Sequence, residues 1–101
     1  MNNIMKKLYA IDIDGVVADG KFWEGDCTPR ERELKAINKL YMQGHIIIYH
    51  TARHPKYYEM TYAWLVKHGA YFHALEMGKL TADVYIDDRN MLISDLLEEV
   101  K

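Results

Sequence analysis

LYAIDIDG, residues 8–15, is an apolar run that stops on two carboxylates, Asp12 and Asp14, and then on a glycine. Leu8, Ala10, Ile11 and Ile13 make the run nearly continuous, the pattern of a strand buried on both faces of a parallel sheet. The same device recurs in VYIDDR, residues 84–89, where an apolar run stops on Asp87 and Asp88. Like charges crowded at a strand end repel, and each disfavours ionisation of the other unless a cation intervenes. If the two runs are neighbouring parallel strands, all four acids meet at one carboxyl edge, where open α/β sheets bind ligands. That geometry asks for a hard divalent metal, magnesium above all, and an anion on its far side.

The residues around these runs complete an α/β pattern. Lys7 to Ile13 reads as the first strand. Gly15 to Pro29 is punctuated by Gly15, Gly20 and Gly25 and reads as an irregular loop or small hairpin. Thr28 and Pro29 have the character of a helix N-cap and first turn. The first helix then runs to about Met42, with Leu34, Ile37, Leu40 and Tyr41 on one face, and Gly44 stops it. His45 to Tyr49 (HIIIY) is the second strand, ending at His50-Thr51-Ala52-Arg53. His54-Pro55 opens a second helix that directs Tyr58, Tyr62, Leu65 and Val66 inward and closes at Lys67, His68 and Gly69. Ala70 to Leu75 reads as a third strand, Asp83 to Ile86 as a fourth, and Asn90 to Val100 as a closing amphipathic helix. This order predicts three layers, a mostly parallel sheet of about four strands with helices on both faces.

At 101 residues the chain has the size of one domain. A formal net charge of −2 argues against bulk attraction to nucleic acid or to an anionic membrane. Cys27 is the only cysteine, which precludes an internal disulfide and points to a reduced, cytoplasmic setting. MNNIMKK is too short an apolar stretch for a secretion signal, and no run approaches membrane-spanning length.

Each group on the shared rim has a chemical use. An aspartate at Asp12 can attack phosphorus and form an acyl phosphate. Asp14, two residues on, can protonate a leaving oxygen and then deprotonate water. Gly15 lets the chain turn sharply and brings its amide toward a ligand. The Thr51 hydroxyl can hold a phosphoryl oxygen. Lys79, in MGKL, can offset charge developing on a transferred group, and Asp87 with Asp88 would complete the metal site.

The ordered set D-x-D-G, then T after a second strand, then K, then a terminal D-D resembles the haloacid dehalogenase superfamily. Its commonest members are magnesium-dependent phosphatases on a Rossmann-like fold. The resemblance runs from Tyr9 to Arg89. It implies that Asp12 is the nucleophile, Asp14 the general acid and base, and Thr51 and Lys79 the phosphoryl-binding pair, with Gly15 beside them. It also implies a magnesium ion held by Asp12, the Asp14 backbone carbonyl and an acid of the last pair. Aligning on the glycine-aspartate that often ends this strand favours Asp88 as ligand, with Asp87 behind it. Most members carry a cap domain that selects the substrate. Only about fifteen residues separate the first motif from the first helix here, too few for a domain, which rarely falls below about 50 residues. The expected site is therefore capless and open to a phosphorylated small molecule or polymer, unless another subunit covers it.

Other residues carry competing readings. A single aspartate at a strand end is usually a cap, and Thr51 or Lys79 alone would be unremarkable; the set gives them weight. Arg53 either clamps substrate or pairs with a rim acid. Phe22 and Trp23 either stack on a sugar or base or pin their loop down. Tyr57, Tyr58, Tyr62 and Trp64 make the second helix aromatic on more than one face, a surplus that suggests a homo-oligomer interface. Two rival functions fit parts of the pattern. A signalling receiver also clusters acids, a threonine and a lysine, but places its paired acids after the first strand. A non-catalytic binding protein could retain the whole constellation.

Overall fold

In the computed structural model, which describes residues 5–84, 86, 88 and 91–99, Leu8–Asp12 forms strand β1. Ala18–Asp19 and Thr28–Pro29 are β2 and β3, a short antiparallel pair. Helix α1 spans Glu31–Met42, β4 spans Ile46–His50 and helix α2 spans Tyr58–Lys67. Strand β5 (Ala74–Glu76) and helix α3 (Ile93–Glu99) follow. The larger sheet has the order β1-β4-β5 with every pair parallel. Parallel neighbours need long crossovers, and α1 and α2 supply them. The result is an α/β arrangement of the Rossmann-like kind.

The register sets the site. Asp12 lies opposite His50, and His50 lies opposite Glu76, so three polar residues end the three strands together. Behind them Ile11, Ile13, Ile47, Tyr49 and Leu75 form the buried centre, closed by Leu34, Ile37 and Leu40 of α1 and Leu96 of α3. No helix among the described residues is long and apolar enough to cross a membrane.

Several expectations need correction. Thr28 and Pro29 do not open α1; they are extended and pair with β2. A residue before proline is pushed out of the α region, and the hairpin then recruits Arg30, whose amide donates to the Val17 carbonyl at 2.7 Å. The Arg30 guanidinium also grips Asp19 through Nε and Nη2. The inward face of α2 is Thr61, Trp64 and Leu65, whereas Tyr58, Tyr62 and Val66 are exposed. Trp64 decides this orientation by donating its indole N–H to the Cys27 carbonyl at 3.0 Å. Tyr58 and Tyr62 then stack on each other at the surface, 6.0 Å between ring centres.

The third strand is shorter than expected because its first amides are used elsewhere. Ala70 donates to Leu65, and Tyr71 to the Asn38 side chain. Of the expected fourth strand, Asp83, Val84 and Ile86 are not in a strand, and Tyr85 lies outside the described residues. Val84 and Ile86 are 71% and 97% exposed. Val84 and Ile86 have strand propensity, but strand propensity depends on packing against neighbours, and both are left exposed. The closing helix begins at Ile93; Asn90 and Val100, its expected ends, lie outside the described residues.

One core residue is mismatched with its surroundings. Tyr49 is fully buried, its ring edge-on to Phe72, and its hydroxyl has no hydrogen-bond partner among the described residues. Burial drives its phenol above the usual range. An unsatisfied buried hydroxyl costs about 1–3 kcal/mol, so Tyr49→Phe is expected to stabilise the protein. A gain of about 1 kcal/mol would raise Tm by roughly 4–8 °C in a domain of this size. An unchanged or lower Tm by calorimetry would mean that the hydroxyl is satisfied.

Candidate functional site

Beyond β1 the chain reverses in a tight loop. The Ile13 carbonyl accepts from the amides of Val16, Val17 and Ala18 at 3.0–3.1 Å. Gly15 makes the turn with φ of 81°, where an L side chain is strained although nothing crowds the space. Its amide donates to the Ala18 carbonyl at 2.9 Å. In this structure it closes the loop. The loop holds the carboxyl groups of Asp12 and Asp14 at the sheet edge, each with its side chain 40% exposed.

The two acids are compensated separately. Asp12 Oδ1 accepts from the Ile13 amide at 2.9 Å, and its Oδ2 lies 3.5 Å from Lys79 Nζ. Asp14 is gripped by Arg53, with Nη2 donating to Oδ1 at 2.7 Å and Nε to Oδ2 at 3.0 Å. The Thr51 hydroxyl adds a donation to Asp14 Oδ2 at 3.3 Å and accepts from the Arg53 amide at 3.2 Å. The repulsion expected between neighbouring carboxylates is thus offset by one cation at each.

Backbone bonds carry these groups to the same place. Thr51 donates its amide to the Glu76 carbonyl, Gly78 donates to Arg53, and Lys79 donates to Thr51, all at 2.9–3.0 Å. The lysine segment is therefore laced to the end of β4. His50 sits between Asp12 and Glu76 on the rim. Burial, then the positive charge of Lys79, holds its imidazole below the usual range, against the pull of Asp12 and Glu76. Its neighbour His54 has a scaffold role, its Nδ1 accepting from the Lys56 amide at the turn that leads into α2.

Asp12, Asp14, Thr51 and Lys79 are thus brought together. Of the terminal pair, Asp88 is exposed, and Asp87 lies outside the described residues. Among the described residues no three His, Cys, Asp or Glu side chains form a group able to hold a metal. Of the two suggested substrate contacts, Trp23 is 65% exposed and leans edge-on against Phe22. Arg53 is buried, its side chain only 3% exposed.

Sequence reasoning allowed for the pairing of Arg53 with a rim acid, Asp14, but missed its other partners. Thr61 of α2 accepts from Nη1 at 3.1 Å, the Phe22 ring lies 4.3 Å from the guanidinium carbon, and Cys27 Sγ lies 3.9 Å from Nη2. A cavity of about 210 Å³ is lined by Arg53 together with Phe22, Cys27, Met60 and Trp64. The available signal was Thr61 itself, a polar residue at the i−3 and i−4 positions of the inward Trp64 and Leu65.

No protein-family model matches the chain, and no curated protein matches it. Among solved structures it is similar to the crystal structure of an MCSG target from Vibrio cholerae. The two are 25% identical, the match covers 95% of this chain and 94% of that one, and the TM-score is 0.77. The α/β architecture described above is therefore shared over nearly the full length of both chains.

Proposed function

We propose that this chain is a capless phosphatase of the haloacid dehalogenase kind, hydrolysing a phosphomonoester through a phospho-aspartyl intermediate at Asp12. The observation that supports this reading is the meeting of Asp12, Asp14, Thr51 and Lys79, drawn from three parts of the sequence, at one sheet edge. In the first half-reaction an Asp12 carboxylate oxygen attacks phosphorus, the bond to the ester oxygen breaks, and Asp14 hands that oxygen a proton. In the second, water attacks phosphorus, Asp14 takes the water proton, and the bond to Asp12 breaks to release phosphate. Lys79 offsets the charge on the phosphoryl oxygens. A phosphoryl oxygen would compete with Asp14 for the Thr51 hydroxyl proton.

The donors on offer fit magnesium in kind, since the Asp12 carboxylate, the Asp14 backbone carbonyl and Asp88 present only hard oxygen. These residues would hold the ion, with Asp87 beside them. Bound there, it would supply further compensation for phosphoryl charge. A phosphate-release screen over sugar phosphates, nucleotides and phosphorylated polymers tests the reading. Release that requires magnesium and stops with EDTA is the expected result. Magnesium binding without release from any member would instead support the binding-protein reading.

A further inference from the structure

We propose that Arg53 is a positioning residue, which orients the Asp14 carboxyl group for proton transfer and does not itself contact substrate. The inference rests on the phosphatase reading above. All three guanidinium nitrogens are occupied: Nε and Nη2 on Asp14, Nη1 on the buried Thr61 hydroxyl, and Nη2 also against Cys27 sulfur. Phe22 covers one face. A side chain so enclosed is not presented to an incoming phosphate.

What it does present is a planar fork. Two parallel N–H donations fix the plane of a carboxylate as well as its distance, which a point charge such as lysine does not. The fork is in turn held by α2 through Thr61 and by the hairpin loop through Phe22, so it is fixed before Asp14 meets it. Each carboxylate oxygen has two lone-pair directions. Nε and the Thr51 hydroxyl both point at Oδ2, while among the described residues Oδ1 receives Nη2 alone. The geometry assigns the remaining direction of Oδ1 as the one through which Asp14 gives and takes its proton.

The test compares two substrates that differ in their need for a proton. p-Nitrophenyl phosphate has a leaving group that departs readily without one, whereas an alkyl phosphate such as glycerol phosphate does not. General acid help is worth on the order of 100-fold or more where it is needed. Arg53→Ala is expected to lower kcat/KM on the alkyl phosphate by about 100-fold, with a loss at least about tenfold smaller on the aryl phosphate and KM little changed. Arg53→Lys keeps the charge and most of the volume. It is expected to melt near wild type yet retain most of the selective loss, so it decides the matter if the alanine variant does not fold. Equal losses on both substrates would overturn the proposal, as would a raised KM with kcat intact or full recovery by lysine. A wild-type protein inactive on both substrates would sink the phosphatase reading, and this proposal with it.

Discussion

Asp12→Asn is expected to abolish phosphate release while leaving the fold in place. Asparagine keeps the size of the side chain and an oxygen to accept the Ile13 amide bond that now holds Oδ1. It loses the anionic oxygen that attacks phosphorus. Deleting a covalent nucleophile costs on the order of 10⁶-fold in enzymes dissected this way, which places the variant below detection in a phosphate assay. The structural cost is small. The contact with Lys79 is a 3.5 Å pair at a partly exposed rim, and such pairs contribute roughly 1 kcal/mol at most. The melting curve should therefore stay close to wild type. Turnover unchanged by the substitution would remove Asp12 as the nucleophile, and with it the phospho-aspartyl route.

The largest loss of stability is expected from Leu65→Ala. Leu65 is fully buried on the inward face of α2, beside Trp64 and one turn beyond Thr61. Alanine is well tolerated in a helix, so the cost comes from lost burial and from the cavity left behind. Such truncations cost about 2–5 kcal/mol, a large share of the roughly 5–15 kcal/mol that holds a domain of this size together. A loss of about 3 kcal/mol would lower Tm by roughly 12–24 °C. Urea unfolding should show a lower midpoint at an unchanged slope. A fall in Tm below about 4 °C would correspond to less than about 1 kcal/mol and would mean that α2 is not seated on the sheet as described. Because α2 also carries the hydroxyl that holds Arg53, any activity should fade at a lower temperature than in the wild type.

The parts of the fold that were legible beforehand are those where the pattern allowed only one geometry. LYAID and IIIYH read as parallel strands and are, although Leu8 and Ile46 are exposed and β1 is not buried on both faces as expected. Leu34, Ile37 and Leu40 repeat at a helical interval with charges opposite. Helix α2 was ambiguous because Tyr58, Tyr62, Trp64 and Val66 are all apolar enough to point inward. One hydrogen bond, from Trp64 to a distant carbonyl, chose among them. Thr28-Pro29 suits a helix start or an extended pair equally well, and the pairing with Ala18 and Asp19 lies outside any local window. In the site, Asp12, Asp14, Thr51 and Lys79 stood out by order and spacing. The role of Arg53 did not, since sequence shows that a guanidinium follows β4 but not which acid, hydroxyl and ring will surround it.

The amides of Gly78 and Lys79, bonded to the carbonyls of Arg53 and Thr51, bear on how the chain accommodates insertions and deletions. With the Thr51 amide bonded to Glu76, three backbone bonds fall within four residues on one side and three on the other. One residue more or less between Glu76 and Lys79 breaks that register and pulls the lysine away from Asp12. The stretch from Gly20 to Asp26 is different, because its ends are already clasped by β2 and β3. There, an insertion beyond the Phe22–Glu24 turn, which leaves Phe22 against Arg53, costs little, since doubling the length of a flexible loop adds only about 0.6 kcal/mol in closure entropy. The chain can therefore grow beside its candidate site, but not within it.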